Sequence, residues 1–181
     1  MSYRKAAALG LSIASLFGPA ASAYDFGRPA TRADIDLWNI DVRPDGAGLP
    51  GGSGTAAQGR QVFQENCAAC HGERGQGAVA DRLVGGDGTL ATDQPIKTVG
   101  SFWPYATTLF DYIRRAMPYP APQSLSNDET YAVVAYILSL NGIVPPTQVL
   151  NRSNLPMIRM PNRDGFVPDQ EFRVIRNSRQ P

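Results

Sequence analysis

Cys67-Ala68-Ala69-Cys70-His71 gathers both cysteines and the single histidine of this 181-residue chain into one short run. Two thiols one helical turn apart can each form a thioether with a vinyl group of a porphyrin. The residue that follows then lies under the iron with an imidazole to offer. C-x-x-C-H is therefore the pattern of covalent c-type haem attachment, with Cys67 and Cys70 as the attachment sites and His71 as an axial ligand. Rival chemistries lack their residues. A structural zinc site takes four ligands, and with no further Cys or His, carboxylates would have to complete it. A thioredoxin-like dithiol needs a β-α-β setting, whereas the flanking pattern is helical. A disulfide between residues three apart closes a very short loop and stabilises little.

Working outward, three helices are expected. The first covers about Thr55 to Asn66, with Val62 and Phe63 opposite Gln58, Gln61 and Glu65. Gly59 inside it costs about 1 kcal/mol relative to Ala, which a close approach of another helix would explain. The second covers about Ala106 to Ala116, where Leu109, Tyr112, Ile113 and Ala116 recur at three- and four-residue spacing and Asp111 and Arg115 form an i,i+4 pair. It must end at Met117, because Pro118 disfavours helical backbone in the residue before it. The third opens on Ser126-Asn127-Asp128-Glu129, a capping box, and carries the apolar stripe Val133, Tyr136, Ile137 and Leu140. Gly142 suits its C-terminal turn, and Pro145-Pro146 prevents resumption. Gly72 to Pro104 is glycine-rich and shows no strand pattern. Such a loop suits a chain wrapped around something large and apolar. The expected class is all-α: three main helices and long loops around one haem, with extended N- and C-terminal segments.

One histidine excludes bis-His ligation within the chain. Met117 sits between the end of the second helix and Pro118, where a loop can hold its thioether over the far haem face. It is the favoured sixth ligand, and Met/His ligation raises the reduction potential. Met157 and Met160, in the proline-rich stretch beyond the last helix, are the alternatives. Trp103 and Tyr105 carry donors that a haem propionate could use, although packing explains them equally well.

The first 23 residues read as an export signal: Arg4 and Lys5, an apolar stretch from Ala6 to Phe17, then Ala21-Ser22-Ala23. Cleavage there leaves a periplasmic chain starting at Tyr24, without a membrane span, and turns the formal charge from +1 to −1. No basic field exists to hold nucleic acid. The remainder divides into an extended N-terminal segment (24–54), the haem domain (55–142) and an extended tail (143–181).

With these residues in place, the chain resembles class I cytochromes c over about Thr55 to Gly142. The resemblance implies that Gly59, Phe63 and Tyr136 pack where the first and last helices cross. A narrower likeness rests on Gly27-Arg28-Pro29-Ala30-Thr31, Trp38 to Gly46, Leu83-Val84-Gly85-Gly86, Lys97 to Ala106 and Pro161 to Phe166. These look like the SoxD-type cytochromes, haem subunits of bacterial sulfur dehydrogenase in thiosulfate oxidation, and the related sulfite dehydrogenase cytochromes. That likeness implies a molybdenum-cofactor dehydrogenase subunit as electron donor, oxidising carrier-bound sulfane sulfur, and a downstream acceptor such as another cytochrome c. Some members carry two haem domains; this chain has one motif.

The implied role is electron transfer, with no substrate chemistry of its own. A haem peroxidase would want a distal His or Arg over an open iron position; no second His exists, and Arg114 and Arg115 suit solvent or propionates. A thiol-disulfide oxidoreductase would be colourless. The segments 24–52 and 144–181 are expected to wrap a partner subunit, as extended segments do when they order on binding, or else to be plain surface extensions.

Overall fold

The computed structural model describes residues 27–167, so the expected export signal at 1–23 lies outside the described residues. In chain order the elements are helix α1 (Arg32–Trp38), strand β1 (Ser53–Thr55), helix α2 (Ala56–Asn66), the single-turn helix α3 (Ala68–His71), helices α4 (Ala106–Ala116) and α5 (Asn127–Leu140), strand β2 (Val149–Asn151) and a 3-10 turn at Leu155–Met157. The three expected helices are α2, α4 and α5. Their boundaries follow from local chemistry. Thr55 and Gln58 close the start of α2 with reciprocal bonds, and Ser126 and Glu129 do the same for α5. Helix α4 stops at Ala116, and Met117 is extended ahead of Pro118. At the end of α5, Gly142 takes a φ of +68°, its N–H bonds the Ser139 carbonyl, and the Ile143 N–H bonds that of Leu138. This is a Schellman turn, and a residue without Cβ makes it without strain.

The centre of the fold is the crossing of α2 and α5. A Cβ on Gly59 would overlap the Ala132 carbonyl and stand 2.9 Å from the Tyr136 Cβ, so the two backbones touch only because residue 59 has no side chain. Beside this contact the Phe63 and Tyr136 rings meet edge to face at 5.4 Å. Gly59, Phe63 and Tyr136 thus pack together at the crossing. Helix α4 adds Leu109, Phe110 and Ile113 to the same core, where the Phe110 and Tyr131 rings lie 4.5 Å apart.

Two features depart from the all-helical expectation. The run Ser53-Gly54, which reads as a linker, is an edge strand paired antiparallel with β2, Gly54 opposite Leu150. Gly54 lies against the Ala132 backbone, which leaves its partner Leu150 to fill the core. The chain beyond residue 142 is therefore not all extension: Val144, Leu150, Leu155 and Met160 are buried in the core that α2 and α5 share. The N-terminal segment is tied down similarly from residue 40 onward. Val42 N–H bonds Asp111 at 2.8 Å, Arg114 donates to the Ile40 carbonyl at 3.3 Å, and the Tyr131 hydroxyl donates to the Pro50 carbonyl at 2.9 Å. Asp111 also holds Arg115 at 3.1 Å, the expected pair, and Arg115 reaches on to Asp41. Segments expected to wrap a partner are thus anchored on this chain's own core at Val42, Val144, Leu150, Leu155 and Met160, while most of their other described residues stay exposed. No helix among the described residues is long and apolar enough to cross a membrane.

Candidate functional site

Helix α2 delivers the motif. Cys67 is both the last cap of α2 and the first residue before α3, and its carbonyl accepts from the Cys70 and His71 N–H groups at 3.1 and 2.9 Å. One turn of helix thus separates the two thiols and sets the imidazole directly after them. Both thiols are free; Cys70 is exposed and Cys67 half-buried. Burial, reinforced by the neighbouring Cys70, pushes the Cys67 thiol up to about 11. A redox-active dithiol needs the opposite shift, toward thiolate, so this geometry disfavours disulfide exchange. Among the described residues no three His, Cys, Asp or Glu side chains converge into a group that could hold a metal ion.

The imidazole is oriented from behind. After α3 the chain doubles back: Gly77 N–H bonds the His71 carbonyl at 2.7 Å and Ala80 N–H bonds that of Cys70 at 2.9 Å. This return carries the Asp81 carbonyl to 2.7 Å from His71 Nδ1. A carbonyl only accepts, so Nδ1 bears the proton and Nε2 is the nitrogen with a free lone pair. A carbonyl bonded to the far ring nitrogen in this way fixes ring and tautomer for an iron ligand. Thiol spacing, half-buried position and an Nε2 free to coordinate together fit covalent haem.

The three methionines are placed very differently. Met160 is 1% exposed in the core, where it packs as an aliphatic side chain; Met157 is 80% exposed on the 3-10 turn. Met117 is half-buried at the margin of the core, as are Cys67, Ala68, Leu83, Trp103 and Leu125. The loop between α3 and α4 is held in shape by its own polar groups. Thr98 Oγ1 donates to the Gly85 carbonyl at 2.6 Å, Ser101 Oγ donates to that of Ile96 at 2.7 Å, and Asn141 at the end of α5 bonds both Leu83 and Gly85. Trp103 packs edge to face on Tyr112, and Arg163 lies 4.2 Å over the Tyr105 ring. Neither Asp81 nor Asn141 stands out in the sequence. Asp81 acts through its backbone carbonyl, which carries no residue signature, and Asn141 sits where any polar helix cap could.

The family model described as Cytochrome c matches residues 56–141, the span from the first residue of α2 to the cap of α5. The crystal structure of the sulfane dehydrogenase SoxCD from Paracoccus pantotrophus superposes with a TM-score of 0.77 at 42% identity, covering 87% of this chain and 79% of that one. The chain belongs to the cytochrome c family. This cytochrome binds haem c covalently, Cys67 and Cys70 having the spacing that attachment requires, and it is an electron-transfer component and not a catalytic subunit. The SoxD-type likeness read from the sequence agrees with this match, SoxD being the cytochrome subunit of SoxCD. Two curated relatives are subunits of cbb3-type cytochrome c oxidase: FixP of Azorhizobium caulinodans, 40% identical over 52 residues, and CcoP of Azospirillum sp., 38% identical over 96 residues. Those matches cover 29% and 50% of this chain but only 18% and 30% of the oxidase subunits, so the likeness there is to one portion of each longer protein.

Proposed function

We propose that this cytochrome is a periplasmic, single-haem electron-transfer subunit of a molybdenum-dependent sulfur dehydrogenase serving thiosulfate oxidation. Cys67 and Cys70 are its thioether attachment sites, and His71 and Met117 its axial pair. The SoxCD match supports this reading most directly. At 87% of the chain it extends well past the haem module at 56–141 and into the flanking segments.

Haem bound here supplies one reversible electron at its iron. The protein's own groups do the rest. The His71 proton stays on Nδ1, held by the Asp81 carbonyl, so the imidazole presents Nε2 in a single orientation. Met117 offers a thioether from the loop after α4, and a Met/His pair raises the reduction potential. His71 and Met117 would both be given to the iron, which would leave no place there for substrate, so the bound group would supply electron exchange alone. Attachment through two thioethers keeps the cofactor from being lost after export. The donor in this account is the molybdenum-cofactor subunit, and the acceptor is another cytochrome c.

Mixing the oxidised holoprotein anaerobically with such a dehydrogenase subunit and a sulfane-sulfur donor tests the reading. Reduction that needs both enzyme and donor is expected. A cytochrome that dithionite reduces but that no sulfane or sulfite donor reduces through the dehydrogenase contradicts it.

A further inference from the structure

Helix α1 is organised without being packed. Thr31 and Asp34 cap it reciprocally, at 2.8 Å from the Thr31 N–H and 3.2 Å from the Asp34 N–H, and Arg28 grips the same carboxylate at 2.6 and 2.9 Å. Arg32 pairs with Asp36 at 3.0 Å. Every charged side chain on the helix is matched by a close neighbour. Its apolar residues are not: Ile35, Leu37 and Trp38 are 48%, 78% and 83% exposed, and no residue of α1 is buried. A helix this short draws its stability from tertiary packing, and among the described residues none buries its apolar side chains. A contiguous exposed cluster that includes a Trp is the composition of an interface anchor.

Two shallow grooves flank the helix. One is lined by Ala30, Asp34, Ile35, Trp38 and Asn39. The other is lined by Leu37, Trp38, Ile40, Arg115 and Gln123. The second groove joins α1 to the Met117 loop, since Arg115 precedes Met117 by two positions and Gln123 follows it on the same loop. Tyr119, 82% exposed, projects from that loop as well. From Ile40 to Pro50 the N-terminal segment is bonded to α4 and α5, so α1 is the part of it left for a partner.

We propose that α1 docks this cytochrome onto the dehydrogenase subunit that reduces it, through an apolar, charge-neutral contact centred on Trp38 that sets the Met117 loop against the partner. The inference rests on the dehydrogenase reading above. Two observations select this occupant. The chain shares 87% of its length with a structure of a two-component dehydrogenase, which requires segments beyond the haem module to be shared. The charges of α1 are also internally paired, which suits a lasting subunit contact and not the salt-steered encounter of a soluble electron acceptor.

The test uses the full-length holoprotein and its Leu37→Ser/Trp38→Ala variant, titrated against the purified dehydrogenase subunit at low and high ionic strength. Val79→Ala, at a position 85% exposed outside α1 and its grooves, is the control. The expected result is binding weakened by about thirtyfold or more in the double variant, little salt dependence in the unaltered chain, and haem spectra unchanged throughout. Binding equal to the unaltered chain overturns the inference while leaving the dehydrogenase reading intact. So does an affinity that collapses with salt, or a homodimer that the double variant dissolves. An unaltered chain that binds no such subunit overturns the dehydrogenase reading and this inference with it.

Discussion

His71 Nδ1 donates to the Asp81 carbonyl across 2.7 Å, so ten residues of loop return to fix one imidazole. The bond depends on backbone contacts of the return, notably Ala80 N–H to the Cys70 carbonyl. Ala80→Pro deletes that donor and loosens the Asp81 carbonyl. A less strongly bonded imidazole is less basic and stabilises oxidised iron less. The reduction potential should therefore rise in Ala80→Pro with the haem still attached. Potentiometric titration of the two proteins checks this; an equal or lower potential in the variant contradicts it.

Gly59 admits the Ala132 carbonyl at the α2–α5 crossing. Gly59→Ala gains about 1 kcal/mol of helix propensity. It must also push two backbones apart, and overpacking of a rigid contact costs about 1–3 kcal/mol or more. Net destabilisation is expected in denaturant unfolding of the holoprotein. A more stable variant would mean that the helices do not meet at this residue.

Tyr131 is fully buried, and burial pushes its hydroxyl up to about 12. A raised pKa means the fold prefers the neutral phenol. The stability it contributes is complete below the ordinary value of 10.0 and is lost as pH rises toward 12. Tyr131→Phe forfeits the bond to the Pro50 carbonyl, worth about 1 kcal/mol, at neutral pH. Unfolding free energies measured from neutral pH upward should show the variant less stable at first and the gap closing between pH 10 and 12. A gap that stays constant would place Tyr131 in a less protected setting.

The haem motif, the capping box at Ser126 and the glycine of the crossing were legible in sequence because each is a short-range pattern with a chemical cause, whereas the capping box of Thr55 and Gln58 emerged only in the structure. Helix α1 has a capping box too, Thr31 with Asp34, but Ile35, Leu37 and Trp38 form no stripe facing a core, so no periodicity announces it. The β1–β2 pair joins strands of three residues each from opposite ends of the haem module, too short and too distant to pattern. Leu150, Leu155 and Met160 lie in a proline-rich tail whose composition suggests extension, yet the core bordered by α4 and α5 takes them in. The contact that orients His71 is made by a carbonyl, which every residue has.

The axial pair is most directly tested by absorption and magnetic circular dichroism of the ferric protein in the near-red, where a thioether bound to haem iron gives a charge-transfer band. The account predicts that Met117→Ala loses this band while Met157→Leu and Met160→Leu keep it. Retention of the band in Met117→Ala, or its loss in either other variant alone, would contradict the assignment of Met117 opposite His71.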